Sequence, residues 1–158
     1  MTKKAKSPER QVGIQKIYVK DFSFESPQSP DVFAGGKEWK PHSSLNLRSA
    51  HKQIKEKENL FEVVLTITVE TKQDDTALFL VEVQQAGVFQ ITGYEKDEFA
   101  HVIGSFCPSV LFPYAREAIA SVVSRGGFPE FILQPINFDA LYAQSLQQQK
   151  DAAGEEAH

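Results

Sequence analysis

From Phe61 to Glu70 the chain alternates: Phe61, Val63, Leu65, Ile67 and Val69 fall on one side, and Glu62, Thr66, Thr68 and Glu70 on the other. A period of two places those five apolar side chains on one face of an extended backbone, and β-branched residues fit that pleated surface. The pattern is that of an antiparallel strand with one face on a core and one toward water. Asp74-Asp75 then closes a hairpin onto Thr76 to Thr92, where Phe79, Val81 and Val83 face one way and Leu80 and Glu82 the other.

Two further segments have strand character. Ile14 to Glu25 alternates, with Ile14, Tyr18, Phe22 and Phe24 on one side and Ile17, Val19, Asp21 and Glu25 on the other. Leu45 and Leu47 mark another strand, which fades through the charged run His51 to Glu58 into a turn near Asn59. Three segments in succession suggest an antiparallel meander. Between the first and second, Ser26-Pro27-Gln28-Ser29-Pro30 opens a stretch to Pro41 with neither helical nor strand period. It reads as a long loop, and an unusually apolar one, because it contains Val32, Phe33 and Trp39 around Gly35-Gly36.

Beyond Gly93 the spacing becomes helical, first over Asp97 to Phe106 and then, after Cys107-Pro108, over Leu111, Ala115, Ala118, Ile119, Val122 and Val123. Arg125 followed by Gly126-Gly127 predicts a helix end. A last helix begins with Asn137 as N-cap and Asp139 in its first turn, with Phe138, Leu141, Tyr142, Ser145 and Leu146 on one face. Strands first and helices afterwards define an α+β fold: a four-stranded antiparallel sheet, a long Pro-interrupted helix and a C-terminal helix. With 158 residues, 41% of them hydrophobic, the chain suits one domain, expected over residues 12–149. A basic tail (1–11) and a polar tail (150–158) are expected to be disordered.

Several function classes find no support. Residues 2–10 carry four bases against one acid, so the rest of the chain holds 13 bases and 20 acids. Such an acidic body favours a basic partner over nucleic acid or an anionic membrane. Met1 to Arg10 is polar with no apolar run after it, and no stretch approaches the ~20 apolar residues of a membrane span. A cytosolic protein is expected, and the single cysteine, Cys107, fits a reducing compartment. His42, His51, His101 and His158 lack metal-ligand spacing, so no metal or other cofactor is expected. Ala34-Gly35-Gly36-Lys37 is followed by Glu38 rather than Ser or Thr and is no phosphate loop. Glu95, Asp97 and Glu98 crowd a helix start, where acids suit the dipole without any catalytic role.

What remains is aromatic: twelve Phe, four Tyr and one Trp. Phe33 and Trp39 either fold down over a sheet edge or help wall an apolar groove for peptides. Ala115, Ala118 and Ala120 allow close approach to the central helix, either within one subunit or between subunits. The residues thus point to a non-catalytic, protein-binding module rather than an enzyme.

Read in order, the chain resembles the SecB family of protein-export chaperones. The carrying segments are Ile14-Gln15-Lys16-Ile17-Tyr18 through Ser23-Phe24-Glu25, Val32-Phe33 with Trp39, Phe61-Glu62-Val63-Val64-Leu65, and Leu80-Val81-Glu82-Val83-Gln84-Gln85. They continue through Cys107-Pro108-Ser109-Val110-Leu111-Phe112-Pro113-Tyr114-Ala115-Arg116-Glu117, Val123-Ser124-Arg125-Gly126, and Pro135-Ile136-Asn137-Phe138-Asp139-Ala140-Leu141. The resemblance implies an ATP-independent chaperone of the bacterial cytosol that keeps unfolded secretory precursors translocation-competent and delivers them to the SecA ATPase. It further implies a homotetramer, a dimer of dimers, with helices packed between two sheets. By the same resemblance Val32, Phe33 and Trp39 map to the groove for unfolded peptide, and Asp21, Glu25, Leu80 and Glu82 to the SecA contact. The alternative is a SecB-like chaperone dedicated to one partner, such as an antitoxin. Two features depart from the family pattern: Gly35-Gly36-Lys37-Glu38 lengthens the Phe33 to Trp39 spacing, and the run from His51 to Lys57 is more basic.

Overall fold

The alternating segments become four long strands: β1 (Gln11–Glu25), β2 (His42–Gln53), β3 (Leu60–Gln73) and β4 (Thr76–Thr92). The structure is a computed structural model that describes residues 9–54 and 56–156. Its single sheet has the order β1-β4-β3-β2, with every neighbouring pair antiparallel. Strands β2, β3 and β4 make the meander expected from the sequence. β1 does not extend it but joins the free side of β4, giving a Greek-key order. The 26–41 connection must therefore travel from one edge of the sheet to the other, across its end. Asp74 and Asp75 take positive φ values of 52° and 61° between the paired Gln73 and Thr76. Two such residues form the two-residue hairpin turn whose twist matches that of the flanking strands.

One face of the sheet is the core. Val63, Leu65, Ile67 and Val69 of β3 and Val83 and Phe89 of β4 are fully buried there. Following Gly93, α1 (Lys96–His101), a five-residue π turn (Val102–Phe106) and α2 (Cys107–Arg125) run on without a break. The expected interruption at Cys107-Pro108 is thus a widened turn. Pro108 has no N–H to offer, and its ring would press on the preceding turn of a regular helix. Opening that turn, with Cys107 N–H donating to the Val102 carbonyl, removes the conflict and preserves the helix axis. Leu111, Ala115, Ile119 and Val123, spaced four apart, present a fully buried stripe to β3 and β4. A Cβ at Gly87 would lie 3.1 Å from Leu111 and 2.8 Å from the Phe89 ring, so glycine is what admits the helix at this depth.

α3 (Phe138–Glu156) begins as expected, with Asn137 Oδ1 accepting from the Ala140 N–H at 3.0 Å. Its end differs from expectation. Residues 150–156, expected to be a disordered tail, continue the helix, because Lys, Asp, Ala and Glu permit it and Gln147 bonds Asp151 one turn on at 3.1 Å. Residues 157–158 lie outside the described residues. So does most of the N-terminal tail, but Arg10 pairs with Glu98 at 2.8 Å and lies over the Tyr94 ring. No described helix is long and apolar enough to cross a membrane.

The face assignment of β1 also needs correction. The alternation is interrupted at two bulges, where Gln15 and Lys20 have no partner in the β4 register. Each extra residue reverses which side the following residues face. Tyr18 stands opposite Ala86 on the solvent face, away from Phe24, while Ile17, opposite Gly87, packs on the core.

Candidate functional site

The loop from β1 to β2 is apolar because it lies over the open end of the core. Val32 and Phe33 belong to a short 3-10 turn (Asp31–Phe33). Gly35 and Gly36 then take φ values of +83° and +100° with open space around them, so this part of the loop turns out into solvent before Trp39. The chain comes back so that both aromatics meet one side chain. Phe33 lies 5.5 Å and Trp39 6.1 Å, centroid to centroid, from buried Phe128. Phe128 in turn packs 4.9 Å from Phe79 of β4, which stacks on Phe24 at 6.2 Å and meets Phe131 edge-on at 5.9 Å.

This array is anchored below and open above. Phe33 remains 50% exposed and Trp39 43% exposed, while Phe128 is 6% exposed. The rings bring apolar area to the surface on a rigid base, at low entropy cost to any ligand they meet. The Gln73 amide pins the loop from both sides, accepting from Lys40 N–H at 3.0 Å and donating to the Glu38 carbonyl at 2.8 Å. Val32, Trp39 and Leu78 line a cleft of about 330 Å³ together with charged side chains of both signs, Asp31, Lys37, Glu38 and Asp74. Phe33 faces the other side of the loop, onto Gly127, whose missing Cβ leaves the ring room.

The second candidate surface is on the solvent face of the sheet. Register pairs Glu25 with Leu80, Ser23 with Glu82 and Asp21 with Gln84. The residues mapped by resemblance, two per strand, are thus brought together in one cross-strand patch. Asp21 and Glu25 have no cation within ion-pairing reach among the described residues, and Glu82 accepts only from the Thr68 hydroxyl at 3.1 Å. Next along the same face, Tyr18 O–H and Lys20 Nζ both donate to the Glu62 carboxylate, Lys20 at 2.8 Å. Burial alone would raise the Glu62 carboxyl, but these hydrogen bonds with the Lys20 and Lys52 charges hold it below its ordinary range. Burial and the adjacent carboxylate push the Tyr18 phenol up to about 12.

Other reactive groups have structural surroundings. Cys107 is fully buried, and desolvation pushes its thiol up to about 12. Asp139 accepts from Ser105 at 2.5 Å and from His101 at 3.0 Å, and the Ser105 bond leads in holding it low. This shared carboxylate ties α3 to the helix before it. Among the described residues no group of three or more His, Cys, Asp or Glu is placed to hold a metal.

A family model described as preprotein translocase subunit SecB matches residues 4–149. The chain belongs to the SecB family. A protein-export protein SecB from Nitrosococcus oceani is 51% identical over 146 residues, covering 92% of this chain and 88% of the relative. One from Methylococcus capsulatus is 48% identical over 153 residues, covering 97% and 96%. Among solved structures, a SecB-like chaperone of Mycobacterium tuberculosis, in complex with a peptide from an antitoxin, superposes with a TM-score of 0.63. It shares 16% identity and covers 79% of this chain and 90% of its own, a likeness of fold.

Within this SecB fold, sequence reasoning missed four of the six rings of the aromatic site. Phe128 and Phe131 come from the connection between α2 and α3, and Phe24 and Phe79 from strands. The cue was available in Gly126-Gly127-Phe128-Pro129, a helix stop followed by an aromatic, but its partner lies about a hundred residues away in sequence, and neither local period nor spacing joins the two.

Proposed function

We propose that this protein holds unfolded secretory precursors in a translocation-competent state and delivers them to SecA, using the Phe33/Trp39 rim as its client surface and the Asp21/Glu25/Leu80/Glu82 patch as its receptor surface. One observation carries the client reading: two half-exposed aromatic rings are fixed on buried Phe128, beside a cleft to which Val32 and Leu78 add apolar surface. A chaperone for many clients needs contacts that are apolar, tolerant of sequence and individually weak. Repeated copies of such a rim multiply retention without any stronger contact.

Assembly as a dimer of dimers supplies those copies. Ile14 and Val19 of β1 and Leu45 of β2 lie on the core side of the sheet beyond the helices, each about half exposed, and Phe106 and Tyr114 are exposed on the helical run. Apolar side chains on the inner side of edge strands and along a helix are what a second copy would cover. The half-identical relatives are named as export proteins, which favours general export over a dedicated antitoxin partner.

The decisive experiment mixes the purified protein with several unrelated unfolded precursors and follows refolding and molar mass by light scattering. Delayed refolding of most clients, without nucleotide and in a complex of tetramer mass, is expected. Delay of one client alone would replace the general reading with the dedicated one.

A further inference from the structure

Among the described residues, Glu62 is the one largely buried carboxylate on the solvent face of the sheet, and its partners include the residues flanking and forming a bulge of β1. It sits at 9% exposure on β3, opposite Val88 of β4. Both of its oxygens are occupied from β1, two strands away, by the Tyr18 hydroxyl and the Lys20 ammonium. Lys20 is the residue without a partner in the register between Val19 and Asp21. On the other face of the sheet, Gln85, at 2% exposure, donates its side-chain amide to the Tyr18 carbonyl at 3.2 Å. The bulge is therefore gripped from both faces, by groups that β3 and β4 hold in place.

What the bulge decides follows from parity. Without the extra residue, strict alternation from Tyr18 would send Phe22 and Phe24 to the solvent face and Asp21 and Glu25 toward the core. With it, Phe24 enters the aromatic array against Phe79 and the vacant Cβ position of Gly126, while Glu25 stands outward opposite Leu80. We propose that Glu62, through Tyr18 and Lys20, is a positioning residue for the receptor surface: it fixes the bulge that turns Asp21 and Glu25 outward and Phe24 inward. This rests on the reading of that surface as the SecA contact, but the effect on β1 stands independently of it. A bulge that re-aims a strand beside a binding surface is a common use of the device.

The test compares the unaltered protein with Glu62→Leu, which keeps the bulk on the sheet but accepts no hydrogen bond, and with Glu62→Gln, which still accepts from the Tyr18 hydroxyl. Amide hydrogen exchange across Asp21 to Glu25 is expected to accelerate about tenfold in Glu62→Leu, with the β3 centre unchanged and Glu62→Gln between the two proteins. SecA affinity should fall several-fold in parallel, about threefold or more, although Asp21 and Glu25 are still present. Exchange in Glu62→Leu equal to that of the unaltered protein would overturn the inference. Asp21→Asn with Glu25→Gln serves as the control for the receptor surface. If that variant binds SecA normally the receptor reading fails, while the exchange result still decides whether Glu62 sets the bulge. Should Glu62→Leu fail to assemble, Tyr18→Phe removes one of the two grips, and the same exchange comparison applies.

Discussion

The rings of Phe33 and Phe128 lie 5.5 Å apart, one half exposed on the crossover loop and the other buried in the connection after α2. The roles proposed for them, one meeting clients and one supporting, set the first expectation. Phe33→Ala with Trp39→Ala should weaken capture of unfolded precursors by about tenfold, as removal of aromatic anchors does at other interfaces, without changing molar mass. Phe128→Ala should act on folding instead, costing about 3–5 kcal/mol as a large-to-small change in a packed site. A refolding-delay assay beside urea denaturation separates the two; unchanged capture by the double variant would remove the loop from the client surface.

The acidic patch predicts a salt-sensitive partner. Reversing Asp21 and Glu25 to Lys should lower SecA affinity by about tenfold at low ionic strength and flatten its dependence on salt, with client holding preserved. Titration of labelled protein with SecA at two salt concentrations checks this. Equal affinity would move the receptor surface elsewhere.

The Tyr18–Glu62 bond ties stability to pH at both extremes. The Glu62 carboxyl is lowered on folding, so its contribution is present above the ordinary glutamate range and lost as pH falls through the lowered value. The Tyr18 phenol is raised from 10.0 to about 12, so its contribution is present below pH 10 and lost as pH climbs toward 12. Phenolate absorbance should show a late-titrating tyrosine that moves part of the way down in Glu62→Leu, where the carboxylate is gone but burial still acts. An unmoved late titration in Glu62→Leu would contradict the bond.

Gly104 faces the Tyr142 ring, where an added Cβ would come within 2.8 Å of two ring atoms. Gly104→Ala should therefore displace α3 from the helix before it, at a cost of about 1–3 kcal/mol set against the small helix-propensity gain of alanine. Near-ultraviolet circular dichroism and thermal unfolding read this out, and unaltered unfolding would mean that the ring moves aside freely.

Cys107 offers a probe of the packed helix. Its fully buried thiol, raised to about 12 by desolvation, should resist thiol reagents in the native protein and react at once in denaturant. Fast native labelling would show that the π turn opens.

Local pattern determined a good deal. Phe61 to Glu70 reads as a strand because period-two alternation survives wherever one sheet face is buried, and Asp74-Asp75 reads as a turn because its conformation is a property of two residues. Asn137 reads as a cap for the same reason. The family, too, was legible in the segments from Ile14 to Leu141.

The order of the strands was not legible, nor were the faces of β1. Whether β1 joins β2 or β4 depends on packing energy summed over the whole sheet, which no stretch of sequence records. One extra residue at Lys20 reverses the facing of all that follow, and what fixes it is Glu62, over forty positions away. Likewise the sequence marked Phe33 and Trp39 as aromatics without an evident place in a core, but only the tertiary structure supplied Phe128 beneath them. Alternation and turns are short-range consequences of backbone geometry, whereas register and site assembly depend on contacts between distant residues that exist only once the chain has closed on itself.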